Sequence, residues 1–168
     1  KFKVYFFLFL VLSIFSCFFS SKNSFSFNSN RYIYPTTTKY ISSYFGNREI
    51  FNKMNFHSGI DFPVPEESPV YSTSSGIVIS ASFINGYGNS VIIEHFDGSK
   101  ALYAHLSETY IVKIGQTVSQ GEKIAMVGPK YLSNGVLNGL TTGPHLHFTI
   151  YDKNGKLIDP LSLNLKDK

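Results

Sequence analysis

Short runs of β-branched and aromatic residues are the sequence feature that most restricts the fold of this chain. From Tyr40 onward no long stretch shows helical periodicity, and Gly, Asn, Asp and Pro separate the runs. The pattern predicts these strands: Val70–Tyr71, Gly76–Ser82, Asn89–Phe96, Ala101–Ser107, Tyr110–Ile114, Lys123–Val127 and His145–Tyr151. We therefore predict a body that is mostly antiparallel β.

The first 20 residues differ sharply from this body. Lys1 and Lys3 precede an apolar run of 16 residues from Val4 to Phe19. A basic start followed by such a run is typical of a secretory signal. As a helix the run spans about 24 Å, less than the roughly 30 Å of a bilayer core. We predict an N-terminal export helix over residues 1–20, a buried core helix being the alternative.

Cys17, the single cysteine, favours one form of this export signal. It follows Ile14-Phe15-Ser16, a segment that resembles a bacterial lipobox except that Phe15 replaces a small or aliphatic residue. We expect a lipid on Cys17 to tether the protein to a membrane. A cleaved soluble form and an uncleaved membrane anchor are the alternatives. One cysteine also excludes an internal disulfide framework and a thiolate zinc cluster.

Composition and charge narrow the function. The net charge is +4, and two of these charges lie in the first 20 residues. No stripe of Lys and Arg is available to neutralise phosphates, so we expect no nucleic-acid partner. An apolar content of 43% excludes intrinsic disorder. We divide the chain into the export segment, a Ser- and Asn-rich linker (21–39), a domain (40–163) and a tail (164–168).

Two of the five histidines lie in one alternating segment near the end of the domain. His145 and His147 flank Leu146, and strand alternation puts both imidazoles on one face, with Cα atoms about 6.6 Å apart. Such a pair suits a metal ligand beside a proton-transfer group. Two solvated surface histidines are the alternative.

His57 and Asp61 form a second candidate site. Gly59 between them and Pro63 after them disfavour a regular helix, but a tight loop can bring both side chains to one point. Imidazole and carboxylate both ligate zinc, at about 2.0–2.2 Å. With one histidine of the pair described above they supply three ligands and leave one position open. An ordinary turn without a ligand role is the alternative.

Four motifs in order identify a resemblance. The motifs are Ser43–Arg48, His57–Asp61, Tyr103–Ser107 and Gly143–Phe148. With them the chain resembles the peptidoglycan-cutting zinc metallopeptidases of the LytM/lysostaphin type, peptidase family M23, over about residues 40–163.

The resemblance implies an open, mostly antiparallel β fold with zinc in a groove between loops. His57, Asp61 and His147 match the zinc ligands of the family, and His105 and His145 match its two active-site histidines. The implied function is a zinc-dependent endopeptidase that hydrolyses peptide cross-links of bacterial peptidoglycan in cell-wall remodelling. It would act after export, in the periplasm or cell envelope.

Other functions stay open at this point. A catalytically idle member of the family would bind the wall or activate a separate amidase, and a zinc-dependent structural or adhesive surface protein is a third possibility. Idle members characteristically lose ligand or catalytic histidines, whereas all five site positions are intact here. The sequence does not choose between glycine bridges and D-amino-acid links as the bond that is cut.

Two departures from the family pattern concern the groove rather than the chemistry. The stretch from Gly128 to Gly143 is several residues longer than expected and leads into the paired histidines, so we expect it to form a wall of the groove. Thr149 stands where members commonly have Glu. Both changes bear on substrate preference more than on activity.

A hairpin argument separates His95 from His105. If Asp97-Gly98 forms a two-residue turn, His95 pairs with Lys100, and the two histidines point to opposite faces. Only one of them could then reach the groove, and the family motif selects His105. A three-residue turn would break this parity. We expect His95 to be a structural or surface histidine near the turn.

Overall fold

Antiparallel strands make up almost all of the regular structure in the computed structural model, which describes residues 32–50 and 52–168. The strands are β1 (Gly46–Ile50), β2 (Lys53–His57), β3 (Ile60–Phe62), β4 (Pro69–Tyr71), β5 (Gly76–Ile84), β6 (Gly88–His95), β7 (Lys100–Ala104), β8 (Thr117–Val118), β9 (Lys123–Met126), β10 (Leu146–Tyr151) and β11 (Leu157–Ile158). Within the described ranges the only helical element is a 3₁₀ turn at Pro160–Leu163. The predicted mostly antiparallel β fold is confirmed.

Several predictions concern residues that the structure does not describe. The export helix over residues 1–20, Cys17 and the first part of the linker lie outside the described residues. Within residues 32–50 and 52–168, no helix is long and apolar enough to cross a bilayer. The predictions of export and of a lipid anchor stay predictions.

Strand β10 organises the seven-stranded main sheet, whose order is β11-β10-β7-β6-β5-β8 with β3 added beside β10. One edge of β10 pairs with β7, and the other pairs with β3 and then β11. Leu146, Phe148 and Ile150 point into the core and are fully buried, as the alternation predicts. His147 and Thr149 therefore lie on the opposite face.

The hydrophobic core packs the main sheet against the smaller β4–β9 pair. Val70 of β4 and Ile124 of β9 join the same buried cluster as Val91, Tyr103 and Phe148 of the main sheet. Because this core covers one face of the sheet, the other face of β3 and β10 is left for polar side chains.

The segment Tyr110–Ile114 is not a strand, so that prediction is wrong. Val112 alone of this segment is deeply buried, and the chain turns at once, with Gln116 N–H donating to the Lys113 carbonyl at 3.0 Å. The apolar alternation here anchors a loop. The short strands β1, β2, β3, β8 and β11 escaped prediction because two to five residues carry too little pattern.

The prediction of a two-residue turn at Asp97-Gly98 is also wrong. His95 pairs with Ser99, its N–H donating to the Ser99 carbonyl at 2.8 Å, so the turn has three residues, 96–98. Gly98 takes the left-handed conformation that closes it (φ +86°). This register gives His95 and His105 the same parity. They nevertheless separate, because His105 follows the end of β7 with a positive φ of 59° and lies in the groove.

Both ends of the described chain pack together. Ile33 bridges to Lys166, and Tyr34 N–H donates to the Lys166 carbonyl at 3.0 Å. Tyr32 and Ile33 are buried. The packed structure thus includes residues that the sequence analysis assigns to the linker and the tail, because their apolar side chains find cover beside the 72–75 loop.

His95 is structural and remote from the groove, at the opposite end of β6 from Gly88. Its side chain is 2% exposed, and neither ring nitrogen has a hydrogen-bond partner among the described residues. The ring packs edge-on against Tyr32, with centroids 5.7 Å apart. Burial lowers the pKa of His95 to about 4, against smaller opposing effects of Asp97 and of the backbone at 74–75.

We expect His95 to make the stability of the fold sensitive to mild acid. In the unfolded chain the imidazole binds a proton below about pH 6.5, whereas the folded protein keeps it neutral down to about pH 4. The free energy of unfolding should therefore fall between these pH values, by about 1.4 kcal/mol per pH unit at most. Chemical denaturation at pH 7.5 and pH 5 checks this against His95→Phe. An equal pH dependence in both proteins would contradict it.

Candidate metal centre and active site

The site is built on one cross-strand pair. Asp61 of β3 lies directly opposite His147 of β10, so both side chains leave the same face of the sheet. The chain at residue 59 passes so close to β10 that only glycine fits, because a Cβ on Gly59 would lie 2.2 Å from the Phe148 carbonyl oxygen. His57 ends β2 two residues earlier and turns its ring toward the same pair.

Three atoms of the kinds that ligate metals meet above this pair, and we call them the donor triangle. His57 Nε2 lies 3.1 Å from Asp61 Oδ1 and 3.0 Å from His147 Nδ1, and the last two atoms are 2.8 Å apart. All three residues are buried. Ligands at about 2.0–2.2 Å around a tetrahedral zinc would lie roughly 3.3–3.5 Å apart, so the triangle is close to the size that such an ion needs.

The outer hydrogen bonds of the two imidazoles make this triangle a site for a cation. His57 Nδ1 donates to the Tyr44 carbonyl at 2.9 Å, which directs its Nε2 toward Asp61 and His147. His147 Nε2 lies 2.8 Å from Thr149 Oγ1, which orients the ring. Two imidazole nitrogens and one carboxylate oxygen thus converge on one point. The residues present fit a metal ion there.

The surroundings of Asp61 and His147 favour the protonation states that metal binding requires. Burial alone would raise the pKa of Asp61, but hydrogen bonding to the imidazoles of His147 and His57 holds it well below its usual range. Burial lowers the pKa of His147. At neutral pH this gives a carboxylate beside neutral imidazole, the forms that ligate metals.

His105 and His145 stand beside the triangle with their rings 4.6 Å apart. His105 Nδ1 donates to the Asn138 carbonyl at 2.6 Å, and His145 Nδ1 donates to the Gly143 carbonyl at 2.8 Å. Each ring therefore turns its Nε2 away from that carbonyl, and His145 Nε2 lies 3.7 Å from Asp61 Oδ1. Burial, with the adjacent His145, lowers the pKa of His105 to about 4. The structure thus brings the five predicted site residues together.

The groove consists of two adjoining cavities of about 280 and 740 Å³. The five residues that line both are Arg48, Asn55, Asp61, Leu140 and His145. The long 128–143 stretch contributes Leu137 and Leu140 to the lining, so it forms a wall as expected. Leu140 is 86% exposed, which gives this wall an apolar lip.

Sequence reasoning gave no role to three residues at the site. Tyr87 packs its ring 5.4 Å from the His147 ring and bonds its hydroxyl to Ser58 Oγ at 2.9 Å. Arg48 Nη1 lies 3.4 Å from Asp61 Oδ2, although the Ser43–Arg48 motif indicates only the family resemblance. Asn138 holds His105 from within the long stretch, and no local pattern in the sequence marks it.

Comparison with known proteins decides the family. The sequence profile of peptidase family M23 matches residues 55–160, a span that contains all five predicted site residues. This chain belongs to peptidase family M23. The predicted resemblance is confirmed.

Curated M23 relatives share about a third of their aligned residues with the chain. It is 36% identical over 135 residues to the DD-carboxypeptidase/endopeptidase Mpg of Neisseria meningitidis, covering 79% of this chain and 29% of the relative. It is 35% identical over 139 residues to the peptidoglycan DD-endopeptidase ShyB of Vibrio cholerae, covering 81% and 30%. The chain thus spans less than a third of the length of these relatives.

Solved structures show the same fold. A zinc-containing peptidase from Vibrio cholerae superposes with a TM-score of 0.65 at 32% identity, covering 82% of this chain and 41% of that one. The catalytic domain of lysostaphin from Staphylococcus simulans gives 0.62 at 29% identity, covering 74% and 92%. The second comparison covers nearly a whole catalytic domain.

Asn138 fastens the long loop of this M23 domain to the sheet. Its side chain is fully buried, accepts from Asn89 N–H at 2.9 Å, and donates to the carbonyls of Leu106 at 2.9 Å and Pro129 at 3.2 Å. The backbone carbonyl of Asn138 accepts the hydrogen bond from His105 Nδ1. One side chain thus fixes the loop that orients a site histidine.

We expect Asn138→Ala to lower the free energy of unfolding by about 2–3 kcal/mol, because three buried backbone groups lose their partner. Asn134→Ala is the matched control in the same loop, since Asn134 is exposed and, within the described part of the chain, its side chain accepts a hydrogen bond only from Val136 N–H, at 3.0 Å. It should change stability by less than about 0.5 kcal/mol. Equal stabilities of the two variants in urea denaturation would disprove the anchoring role.

Proposed function

We propose that this chain is a zinc-dependent endopeptidase that hydrolyses peptide cross-links in bacterial peptidoglycan. The observation that carries the proposal is the triangle of donor atoms on His57, Asp61 and His147 with the imidazoles of His105 and His145 beside it. The named activities of the M23 relatives supply the substrate class.

We assign the metal as zinc. Two imidazoles and one carboxylate form a donor set of the kind found in catalytic zinc sites, and the fourth direction opens into the groove. A fold neighbour is described as zinc-containing. When bound, zinc supplies a Lewis acid that polarises a carbonyl and activates water.

The protein's own groups then move the proton. We assign His145 Nε2 to take the proton of the attacking water and to pass it to the leaving amine, because it lies within 3.7 Å of the donor triangle. The buried, neutral His105 presents a second acceptor at Nε2, which orients the water or the amine. The carbonyls of Asn138 and Gly143 hold both rings in the required tautomer.

The D-amino-acid link between stem peptides is the bond that the comparisons favour. Both curated relatives described above carry the DD designation in their names and align over about 80% of this chain. The lysostaphin catalytic domain aligns at lower identity. We therefore propose a D,D-endopeptidase.

Three substitutions separate the proposed roles. Asp61→Ala should lose both metal and activity, whereas His105→Ala should keep zinc and lose activity by about 100-fold or more. His95→Ala is the matched control, since it removes a buried imidazole outside the groove, and it should keep zinc and most of the rate. Metal analysis, dye release from purified sacculi and mass spectrometry of the released muropeptides give the readouts. Chelation should abolish the rate and zinc should restore it.

Other results would contradict these roles. Full zinc occupancy in folded Asp61→Ala would disprove the ligand set. A folded, zinc-loaded and inactive His95→Ala would disprove the choice of His105. Hydrolysis that requires a second protein would favour the idle module that activates an amidase.

We further propose that residues 1–20 export the protein and tether it to a membrane, with residues 21–39 as linker and 40–163 as the catalytic domain. The extracytoplasmic location follows from the substrate of the relatives. The tether rests on the apolar run and the lipobox-like segment before Cys17.

Cys17→Ser tests the tether. If Cys17 carries a lipid, the variant should leave the detergent phase or stay unprocessed, because the acyl chains supply most of the membrane affinity. Detergent partitioning and the mass of the mature protein provide the measurements. Unchanged partitioning would exclude the lipid while leaving export untouched.

A further inference from the structure

Among the described residues that line the groove, Arg48 is the one that carries a permanent positive charge. It lies on β1, and it is the only lysine or arginine among the residues that line either cavity. Its side chain is 31% exposed and borders both cavities. The proposed hydrolysis, as described above, gives it no task.

Only one corner of the Arg48 guanidinium is used within the described part of the chain. Nη1 donates to Ser43 Oγ and lies 3.4 Å from Asp61 Oδ2. Nε is buried and has no acceptor among the described residues. The exposed part of the guanidinium borders the groove, where a ligand can reach it from solvent.

The chemistry of the guanidinium selects its ligand. A planar cation with several N–H donors matches the oxygens of a carboxylate. The bond between D-alanine and the next residue of a D,D-link has such a group: the carbon that bears the amine nitrogen also bears a free carboxylate. The interior of a glycine bridge lacks it, because every carboxyl group there is an amide.

The distances suit one substrate that reaches both groups. Arg48 Nη1 lies 3.4 Å from Asp61 Oδ2, and Oδ1 of the same carboxylate belongs to the donor triangle. In a peptide the carboxylate carbon next to the scissile nitrogen lies about 3–4 Å from the scissile carbonyl carbon. A carboxylate on the guanidinium thus leaves the scissile carbonyl near the triangle.

We propose that Arg48 binds the free carboxylate on the amine side of the scissile bond and thereby selects D,D-links. This inference rests on the proposed function. It makes Arg48 a specificity-determining residue, in addition to its contact with Asp61. A residue that only positioned Asp61 would affect all substrates alike.

A matched pair of substrates tests the inference: a muropeptide dimer with the free carboxylate beside its D-alanyl amide, and the same dimer with that carboxylate amidated. The wild-type chain should prefer the free carboxylate in kcat/KM by about 10- to 100-fold, as for a charge-assisted hydrogen bond. Arg48→Gln should bring this ratio close to one, mainly through KM, with zinc content unchanged. Arg48→Lys should keep part of the preference.

Asn55→Ala is the control variant. Asn55 faces Arg48 across the β1–β2 pair and lines the same two cavities, but it carries no charge. It should retain the wild-type ratio. Binding of a non-hydrolysed peptide that ends in D-alanine, measured by calorimetry against its carboxamide, gives a second readout that is independent of the rate. The carboxylate should bind about 10-fold more tightly or better, and Arg48→Gln should lose the difference.

Two results would overturn the inference: no preference for the carboxylate in the wild-type chain, or an equal loss on both substrates in Arg48→Gln. The second result would leave Arg48 as a positioning residue for Asp61. A wild-type chain that binds the carboxylate peptide through Arg48 but hydrolyses no muropeptide would instead contradict the proposed function.

Discussion

The pairing of β3 with β10 is the constraint on which the site depends. Antiparallel register sets Asp61 opposite His147, and the side-chain period of two puts both on the face away from the core. A slip of one residue would bury Asp61 among Phe148 and its neighbours and expose Ile60. The fully buried Ile60 and Phe62 on the other face therefore hold the carboxylate in place as firmly as any polar contact does.

Backbone carbonyls outside β10 orient the remaining imidazoles of the site. Every site imidazole outside β10 has its Nδ1 bound to a backbone carbonyl: His57 to Tyr44, His105 to Asn138 and His145 to Gly143. Carbonyls accept only, so each bond fixes a tautomer and aims Nε2 inward. Because buried polar groups need partners, these bonds also stabilise the loops that provide them.

The sequence predicted correctly those features of the structure that depend on residues close together in the chain. Alternation after Pro144 placed the two sides of β10 correctly, and the motif around His57 marked one corner of the site. The hairpin at Asp97-Gly98 failed, because the number of residues in a turn depends on strand pairing that the turn itself does not encode. Asn138 could not be foreseen, since its three side-chain partners lie 9 to 49 positions away in sequence.

The division between sheet and loops has a consequence for specificity. Strand register fixes the backbone positions of Asp61 and His147, and this register does not depend on the side chains of the groove walls. Arg48 stands on the separate β1–β2 pair, and Leu140 stands on the long loop that Asn138 anchors. Each wall can therefore change its charge or its apolar lip independently of the other. A fold of this kind can keep one metal-binding centre while the charge and shape of the groove around it change.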